Sequence, residues 1–267
     1  MAEKWLLIDA GNTRVKWAER TETELSPGQS FTTSSLRASA SALDQVWAHI
    51  DRPLGVALSN VAGERVRENL VSYIRERWSI DVHEARSKAE LRGFHSGYRI
   101  PESLGVDRWL AIIAAQAQGF FPALVVDAGS AMTIDVLDAN GNHEGGYILP
   151  GRTVMVAALI ERTKQIQDTR PAGQASLSPG CDTASGLASG GVLALVGAIE
   201  RAYSLCVESK RDKAPVLILS GGDAEILETH LRLPLKKCSD LVLEGLWMEL
   251  VHSRDQDPRF PPLFPKR

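Results

Sequence analysis

The sequence predicts a duplicated α/β fold in two domains, each with a mixed β-sheet flanked by helices. The first observation is a repeat, because an apolar strand, Asp-Ala-Gly and a second strand occur at residues 5–17 and again at 124–137. Such a repeat indicates an internal duplication. The second observation is that strand and helix patterns alternate along both halves, as in helices packed on a sheet. At 267 residues the chain is long enough for two cores, and we predict domains at 1–118 and 119–267.

The first repeat reads WLLIDAGNTRVKW and begins with a buried strand. The pair Gly11-Asn12 tolerates the positive φ of a tight turn, so a second strand at Arg14–Ala18 is expected to fold straight back. The turn would present backbone N–H groups, the Thr13 hydroxyl and the Asp9 carboxylate, which together suit a polyphosphate and its Mg²⁺. Taken alone, the stretch is more typical of an ordinary hairpin with a solvated Asp, and the second copy favours the functional interpretation.

The rest of the first half alternates between strands and helices. We predict a strand at 31–33, a helix from Ser34 or Ser35 to Ile50, a strand at 54–58, a helix at 62–78 and a strand at 80–83. Residues 91–103 have no periodicity and are predicted as a loop. This loop leads to Asp107 and Arg108 at the start of an apolar helix, Trp109–Ala117. An acid there complements the helix dipole, and both side chains are equally candidates for an active site.

The second half repeats the plan. Its predicted elements are strands at 124–126, 132–137 and 143–149, helices at 153–163 and 184–208, a strand at 216–219, and helices from Ala224 and at 241–251. Residues 169–179 are predicted as a surface loop, and the tail PRFPPLFPKR is too rich in proline for a helix or a central strand. A third glycine turn, Ser220-Gly221-Gly222-Asp223, ends the last apolar strand. Three strand ends that carry Gly and Asp could therefore converge on one nucleotide.

Composition excludes several classes of protein. With a net charge of -3, the chain lacks the excess positive charge that is typical of proteins that bind nucleic acid or an anionic membrane. The three cysteines, Cys181, Cys206 and Cys238, are far apart and lack CxxC spacing, which indicates reduced thiols and a cytoplasmic location. The apolar run after the N-terminus is too short for a signal peptide, and no uncharged apolar run has the length of a membrane span. Neither a P-loop nor a Rossmann GxGxxG motif occurs.

Five motifs in order carry a resemblance to a known family. They are DAGNTRVK at Asp9–Lys16, GVDR at Gly105–Arg108, DAGSAMTID at Asp127–Asp135, GGYILPG at Gly145–Gly151 and SGGDA at Ser220–Ala224. Each motif alone is weakly specific, whereas their order and spacing resemble the type III pantothenate kinases, which include the Bvg accessory factors. These kinases belong to the actin-like (ribonuclease H-like) ATPase superfamily. The resemblance runs from Leu6 to Leu250 and implies two actin-like domains with a nucleotide cleft between them.

The resemblance implies ATP-dependent phosphorylation of pantothenate to 4'-phosphopantothenate, the first step toward coenzyme A. Asp107 would be the general base, which fits an alcohol nucleophile that needs a proton acceptor. Arg108 would attract the substrate carboxylate or the transferring phosphoryl group. The positions that would contact the substrate are Tyr98, Gly105, Val106, Asp107, Arg108 and Thr183. Without the resemblance, surface packing for Tyr98 and helix capping for Thr183 are the favoured interpretations.

The resemblance also assigns the cofactors. Mg-ATP would be held by Asp9, Ala10, Gly11, Asn12, Thr13, Arg14, Val15 and Lys16, with Ser130, Gly221 and Gly222. Asp9 would bind Mg²⁺, and Asp127 would bind a monovalent cation, K⁺ or NH₄⁺, which offsets the repulsion between carboxylate and phosphate oxygens. Ser130 stands where the family usually has Thr, a departure that keeps the hydroxyl and puts only the methyl contact in doubt. A homodimer is expected from the family and from the Gly- and Ala-rich helix after Thr183.

Three alternatives remain open from the sequence. Another actin-like kinase would act on a sugar or an acyl acid, and GVDR together with Tyr98 argues against it. A regulatory or accessory protein could bind ATP without turnover, although Asp9, Asp107 and Asp127 are all present. A filament-forming actin relative would need more chain, because actin-like polymers usually carry extra subdomains. The six histidines lack the spacing of metal ligands and are interpreted as structural or surface residues.

Overall fold

Two five-stranded sheets with the same strand order form the framework of the chain. A computed structural model describes residues 4–91, 93–163, 176–209 and 213–256. The chain divides into two units, the first comprising Met1–Ala117 with Asp240–Arg267 and the second Gln118–Ser239. Both sheets are mixed and carry helices, so the predicted α/β class is confirmed.

The sheet of the first unit has the order β3-β2-β1-β4-β5. Its strands are β1 (Trp5–Ala10), β2 (Arg14–Arg20), β3 (Gln29–Thr32), β4 (Gly55–Asn60) and β5 (Val82–Glu84). The three strands that follow one another in sequence pair antiparallel, and β1, β4 and β5 pair parallel. The five predicted strands are all present, with bounds shifted by a few residues.

The helices of the first unit cover both faces of this sheet. They are α1 (Thr33–Ala38), α2 (Ala42–Val46), α3 (Glu64–Trp78), α4 (Val106–Ala117) and the C-terminal helix Leu241–Gln256. The even-numbered side chains of β1 join the core with α1, α2 and α3, around the fully buried Trp47. The C-terminal helix contacts β1 and β4, and α4 packs on it and on β4. Asp9 and Trp5 have the opposite parity and project from the other face, where the Trp5 ring meets Trp247 of the C-terminal helix.

Two predictions for the first unit are wrong in detail. The helix predicted from Ser34 or Ser35 to Ile50 is two short helices, because Ser39 is extended and its hydroxyl accepts a hydrogen bond from the Ser41 N–H. Serine hydroxyls offer the backbone such an alternative to helix. The predicted loop at 91–103 contains a small hairpin, β6 (Glu90–Leu91) and β7 (Phe94–His95), held by the buried Phe94, and a 3₁₀ turn, Pro101–Ser103.

The second unit repeats the topology of the first. Its sheet has the order β10-β9-β8-β11-β12, with β8 (Ala123–Ala128), β9 (Ala131–Leu137), β10 (His143–Pro150), β11 (Val216–Ser220) and β12 (Leu235–Lys237). The pairings are again antiparallel from β8 to β10 and parallel from β8 to β12. The same order and directions in both sheets confirm the duplication that the repeated Asp-Ala-Gly motif predicts.

Among residues 118–163, 176–209 and 213–239, three helices accompany this second sheet: α5 (Arg152–Arg162), α6 (Thr183–Glu208) and α7 (Ala224–His230). One face of α6 enters the core through Val192, Leu195 and Ile199. By length and composition alone α6 could cross a membrane, although the core helix of a soluble protein passes the same test, and 39% of its most apolar window is buried. Most of the predicted loop at 169–179 and the tail from Pro258 lie outside the described residues.

The last helix, α8 (Leu241–Gln256), belongs to the first unit, whereas the sequence prediction placed residues 119–267 in one domain. Gly245 explains its close packing, since a Cβ at this position would overlap the Leu110 carbonyl oxygen of α4. Arg20 of β2 also forms an ion pair with Glu244 of α8 at 2.8 Å. These contacts join residues more than 100 positions apart in sequence, so periodicity cannot reveal them.

Candidate active site

The Asp9 carboxylate lies at the end of β1 and is nearly buried. Asp9 stands opposite Ser59 in the parallel pair of β1 and β4, and the Ser59 hydroxyl donates to Asp9 Oδ1 at 3.0 Å. Lys16 stands opposite Asp9 in the antiparallel pair, so both side chains project from the same face of the sheet. The carboxylate is therefore held in one orientation beside a cationic side chain.

The turn of the first hairpin is tight, as the sequence predicts, but its backbone conformation differs. The Gly11 N–H donates to the Arg14 carbonyl oxygen at 3.0 Å, which closes a turn with Asn12 and Thr13 at its exposed tip. Neither Gly11 nor Asn12 has a positive φ. The expectation of left-handed residues here is wrong, because the two-residue tip closes without them. A Cβ at Gly11 would lie 3.1 Å from the Arg14 oxygen, so close approach accounts for this glycine.

The eight residues predicted to bind Mg-ATP differ in what they expose. Ala10 and Val15 are fully buried in the core, so only their backbone atoms can reach a ligand. Arg14 is exposed, and its Nε donates to the Ser30 hydroxyl at 3.2 Å. The exposed tip and the half-buried Lys16 are the parts of the hairpin available to an anion.

Asp107, Arg108 and Tyr98 form the second group of the first unit. Asp107 is in the first turn of α4, and its Oδ1 accepts a hydrogen bond from the Arg108 N–H at 2.8 Å. The Arg108 guanidinium donates to the Tyr98 hydroxyl at 2.7 Å and lies 5.5 Å from the centre of the Tyr98 ring. Arg108 is only 7% exposed. The three predicted residues are thus brought together, with a nearly buried cation next to a carboxylate at a helix N-terminus.

Gly105 allows this arrangement. A Cβ at Gly105 would lie 2.8 Å from Asp107 Oδ1, closer than real Cβ contacts permit. The chain before it is anchored, since the buried Ser87 hydroxyl donates to the Leu104 carbonyl oxygen at 2.7 Å. The Gly-Val-Asp-Arg motif therefore combines a close approach at the glycine with a fixed start of α4.

The second unit brings three loops together around its Asp-Ala-Gly turn. The Gly129 N–H donates to the Ala131 carbonyl oxygen at 3.0 Å, so this hairpin is one residue shorter than the first. Gly151 donates to the Ser130 carbonyl oxygen at 2.8 Å, and a Cβ on Gly151 would overlap the Gly129 carbonyl oxygen. Asp127 stands opposite Ser220 in the parallel pair of β8 and β11, just as Asp9 stands opposite Ser59. Of the three glycine turns in the prediction, the two that follow β8 and β11 lie in this unit.

The Ser220-Gly221-Gly222 turn meets the same loop from β11. Gly221 has a φ of +97°, and a Cβ there would lie 2.5 Å from backbone atoms of Ala128. The Asp223 N–H donates to the Ala128 carbonyl oxygen at 3.0 Å. Gly221 is therefore required by both conformation and space, whereas a Cβ on Gly222 would meet nothing within 4 Å among the described residues.

Arg152 joins this site without having been singled out from the sequence, and its partner is Asp223 of the predicted third glycine turn. Arg152 donates to Asp223 Oδ1 from Nε at 3.3 Å and from a terminal nitrogen at 3.1 Å. Its aliphatic part passes Gly191 of α6, where a Cβ would lie 2.9 Å from Arg152 Cγ. Ser59 follows the predicted strand at 54–58, and nothing in the sequence singles it out as a partner of Asp9. Local sequence pattern does not reveal either residue, because their contacts join strands and helices that are distant along the chain.

Thr183 is the first residue of α6 and is exposed. It does not cap the helix, because Asp182 is the N-cap and forms a capping box with Ser185. The backbone N–H and the hydroxyl of Ser185 hold the pKa of Asp182 below its ordinary value. Helix capping, the competing interpretation of Thr183, is therefore excluded, and its hydroxyl lies at an exposed helix start.

No group of three or more His, Cys, Asp or Glu side chains arranged for a metal is found in the described part of the chain. Mg²⁺ usually keeps several waters and is bound through one or two carboxylates together with substrate phosphates, so it does not need such a group. Asp9, held by Ser59 at a strand end, is such a carboxylate. The donor set suits a hard cation brought with a nucleotide.

Sequence comparison identifies the family. The family model for type III pantothenate kinase matches residues 5–204. A type III pantothenate kinase of Nitrosomonas eutropha is 36% identical over 244 residues, which cover 90% of this chain and 92% of that protein. The enzyme of Janthinobacterium sp. is 37% identical over 253 residues, covering 90% and 95%, and that of Burkholderia multivorans is 34% identical over 275 residues, covering 96% and 100%.

Solved structures support the same fold at lower identity. A Baf family protein from Campylobacter jejuni aligns with a TM-score of 0.59 at 20% identity, over 94% of this chain and 99% of that one. A Sinorhizobium meliloti protein described as a candidate 2-dehydro-3-deoxygalactonokinase aligns with a TM-score of 0.63 at 14% identity, over 98% and 100%. Together with the order of the motifs and the family match over most of its length, these findings show that the chain is a kinase and belongs to the type III pantothenate kinase family.

Proposed function

We propose that this kinase transfers the γ-phosphoryl group of ATP to the primary hydroxyl of pantothenate, forming 4'-phosphopantothenate for coenzyme A synthesis. The observation that carries the proposal is the cluster of Asp107, Arg108 and Tyr98 at the start of α4. An alcohol attacking a phosphoryl group needs a proton acceptor and a cation nearby. Asp107 is the proposed acceptor for the hydroxyl proton.

Arg108 is the proposed anchor for the pantothenate carboxylate. Its guanidinium is nearly buried and fixed by the Tyr98 hydroxyl and ring. A planar guanidinium presents its N–H donors as a fork that matches the two oxygens of a carboxylate. Gly105 and Val106 are proposed to border the same substrate, and Thr183 is proposed to add a hydroxyl contact.

ATP is proposed to bind through both Asp-Ala-Gly hairpins. In the first, residues Asp9–Lys16 supply the exposed turn and a cationic side chain. In the second, Ser130 supplies a hydroxyl, and Gly221 and Gly222 form the turn that lies against Ala128. Exposed backbone N–H groups at tight turns are a common cradle for phosphate oxygens. These contacts are supported by the family motifs and by the local geometry of each hairpin.

The cations are proposed to bind at the two aspartates. Mg²⁺ bound by Asp9, directly or through water, would offset the charge on the ATP phosphates as the phosphoryl group transfers. A K⁺ or NH₄⁺ ion is assigned to Asp127, which is half-buried at the end of β8. The chain's own part in this step is to fix two carboxylates at strand ends, each opposite a serine.

A homodimer and a cytoplasmic location complete the proposal. The second unit exposes apolar side chains on β10, α5 and α6, among them Ile148 at 64%, Leu159 at 50% and Leu193 at 59%. A Cβ added to Gly186, Gly190 or Gly197 of α6 would meet nothing within 4 Å in the described structure. The described packing of the unit does not require these glycines, and together with the exposed apolar side chains they offer a surface that a second copy of the chain could cover closely. The three cysteines are far apart in sequence and lack CxxC spacing, which supports a reducing compartment.

The test is ATP consumption by the purified protein with pantothenate, comparing K⁺ with Na⁺ at fixed Mg²⁺. We expect turnover that requires pantothenate and increases with K⁺. A panel of sugars and acyl acids is the control, because turnover with one of these and not with pantothenate would overturn the substrate assignment. Equal rates in K⁺ and Na⁺ would overturn the role of Asp127, and sedimentation as a monomer at micromolar concentration would overturn the dimer.

A further inference from the structure

Thr33 of α1 contacts the first Asp-Ala-Gly hairpin, residues Asp9–Lys16, at two points. It is the first residue of α1 and is fully buried. Its hydroxyl donates to the Gly11 carbonyl oxygen at 2.7 Å, and its backbone N–H donates to the Thr13 carbonyl oxygen at 3.0 Å. One residue of α1 thus binds both sides of the exposed tip of the hairpin.

Other hydrogen bonds complete the same pattern. The Ala10 carbonyl oxygen accepts from the Val61 N–H at 3.0 Å, and the Arg14 carbonyl oxygen accepts from the Gly11 N–H at 3.0 Å. Four of the five carbonyl oxygens from Ala10 to Arg14 therefore have donors within the protein. An anion is attracted by backbone N–H groups and repelled by carbonyl oxygens, so a phosphate-binding turn needs its carbonyl oxygens directed elsewhere.

We propose that Thr33 is a positioning residue for ATP, which keeps the carbonyl oxygens of Gly11 and Thr13 turned toward α1 so that the tip of the hairpin can accept phosphate. The inference rests on the proposed ATP site, because Thr33 acts through the hairpin and not on the nucleotide itself. Its hydroxyl contributes the bond to Gly11 alone, since the bond to Thr13 comes from the backbone. Substitution of this side chain therefore releases one side of the turn and leaves the other in place.

The test compares three variants at Thr33 with a neighbouring control. Thr33→Val keeps the shape and removes the hydroxyl, Thr33→Ser keeps the hydroxyl, and Thr33→Ala cannot overfill the site. Thr32→Val is the matched control, because Thr32 is exposed and does not cap α1, and within the described ranges its hydroxyl bonds only to the Ser35 hydroxyl, at 2.8 Å. The readouts are the dissociation constant of Mg-ATP by calorimetry without pantothenate, the KM values for ATP and for pantothenate, and the Tm of the free protein.

For Thr33→Val and Thr33→Ala we expect a dissociation constant for Mg-ATP that is roughly three- to ten-fold higher, the effect of losing one buried neutral hydrogen bond. The KM for ATP should rise in parallel while the KM for pantothenate stays constant, and Thr33→Ser and Thr32→Val should resemble the wild type. Unchanged ATP affinity in both hydroxyl-free variants would overturn the proposal, even if their Tm falls. Equal increases of both KM values would also overturn it, since they indicate general loosening.

The binding titration separates this proposal from the proposed reaction. If the wild type binds Mg-ATP and the hydroxyl-free variants bind it more weakly, Thr33 has the positioning role even when pantothenate is not phosphorylated. If the wild type does not bind Mg-ATP at all, the hairpin is not a phosphate site, and the role of Thr33 is overturned with it.

Discussion

Replacing Glu249 should cost more stability than replacing any exposed charge on the same helix. The Glu249 side chain is 2% exposed, and its carboxylate accepts hydrogen bonds from His83 Nε2 at 2.5 Å and from Lys88 Nζ at 2.8 Å. The Ser253 hydroxyl donates to it as well, at 2.8 Å. This cluster fastens α8 to β5 and to the segment after it, and α8 is the helix on which α4 packs. Glu249→Gln removes the charge and keeps the shape.

The expected loss of folding stability in Glu249→Gln follows from the pKa of Glu249. Burial alone raises this pKa, but hydrogen bonds and charges from His83 and Lys88 outweigh burial and lower it from 4.5 to about 2. That lowering corresponds to about 3 kcal/mol of folding stability, within the range found when one partner of a buried pair is removed. Because the pKa is lowered in the folded state, the contribution is fully present above about pH 4.5 and is lost as the pH falls toward 2.

Urea unfolding, followed by tryptophan fluorescence, measures this prediction. At pH 7 we expect Glu249→Gln to lower the free energy of unfolding by about 3 kcal/mol. Glu244→Gln is the matched control on α8, since its side chain is 31% exposed and pairs with Arg20, and it should cost less than about 1 kcal/mol. Equal costs for the two variants at pH 7 would refute the reasoning. So would a cost for Glu249→Gln that stays constant between pH 7 and pH 3.

Three further predictions concern the site. Ser59→Ala removes the hydrogen bond to Asp9, so the Mg²⁺ concentration for half-maximal turnover should rise several-fold with an unchanged KM for pantothenate; an unchanged Mg²⁺ requirement would remove Ser59 from the support of Asp9. Gly221→Ala should raise the KM for ATP and lower the Tm by several degrees, because its Cβ would meet backbone at 2.5 Å with φ at +97°, whereas Gly222→Ala should leave the Tm unchanged. Similar behaviour of the two glycine variants would contradict this. Asp107→Asn should abolish turnover with an unchanged circular dichroism spectrum, and near-normal turnover would exclude Asp107 as the base.

The sequence predicts local features of this chain well. Both Asp-Ala-Gly hairpins, their flanking strands and the apolar helix after Gly-Val-Asp-Arg follow from apolar runs and turn residues, and the structure has them at the expected places. The repeated motif also anticipates the shared strand order of the two sheets. These features depend on neighbouring residues, which periodicity and turn chemistry describe.

Features that depend on distant contacts were not predicted. Ser59 supports Asp9 because β1 and β4 pair in parallel across 50 residues, and Thr33 supports the hairpin from a helix that begins where a strand was expected. The assignment of α8 to the first unit depends on Gly245 and on the buried Glu249 cluster. The local pattern also overestimated the length of the first predicted helix, which Ser39 and Ser41 interrupt through their hydroxyls.

The central claim is that this kinase phosphorylates pantothenate, and transfer of label from γ-labelled ATP tests it most directly. Wild-type protein is incubated with ATP, Mg²⁺, K⁺ and pantothenate, and the labelled products are separated and identified by mass. We expect the label in 4'-phosphopantothenate with the wild type and none with Asp107→Asn. Label that appears only as inorganic phosphate, or that stays in ATP when pantothenate is present, would contradict the claim.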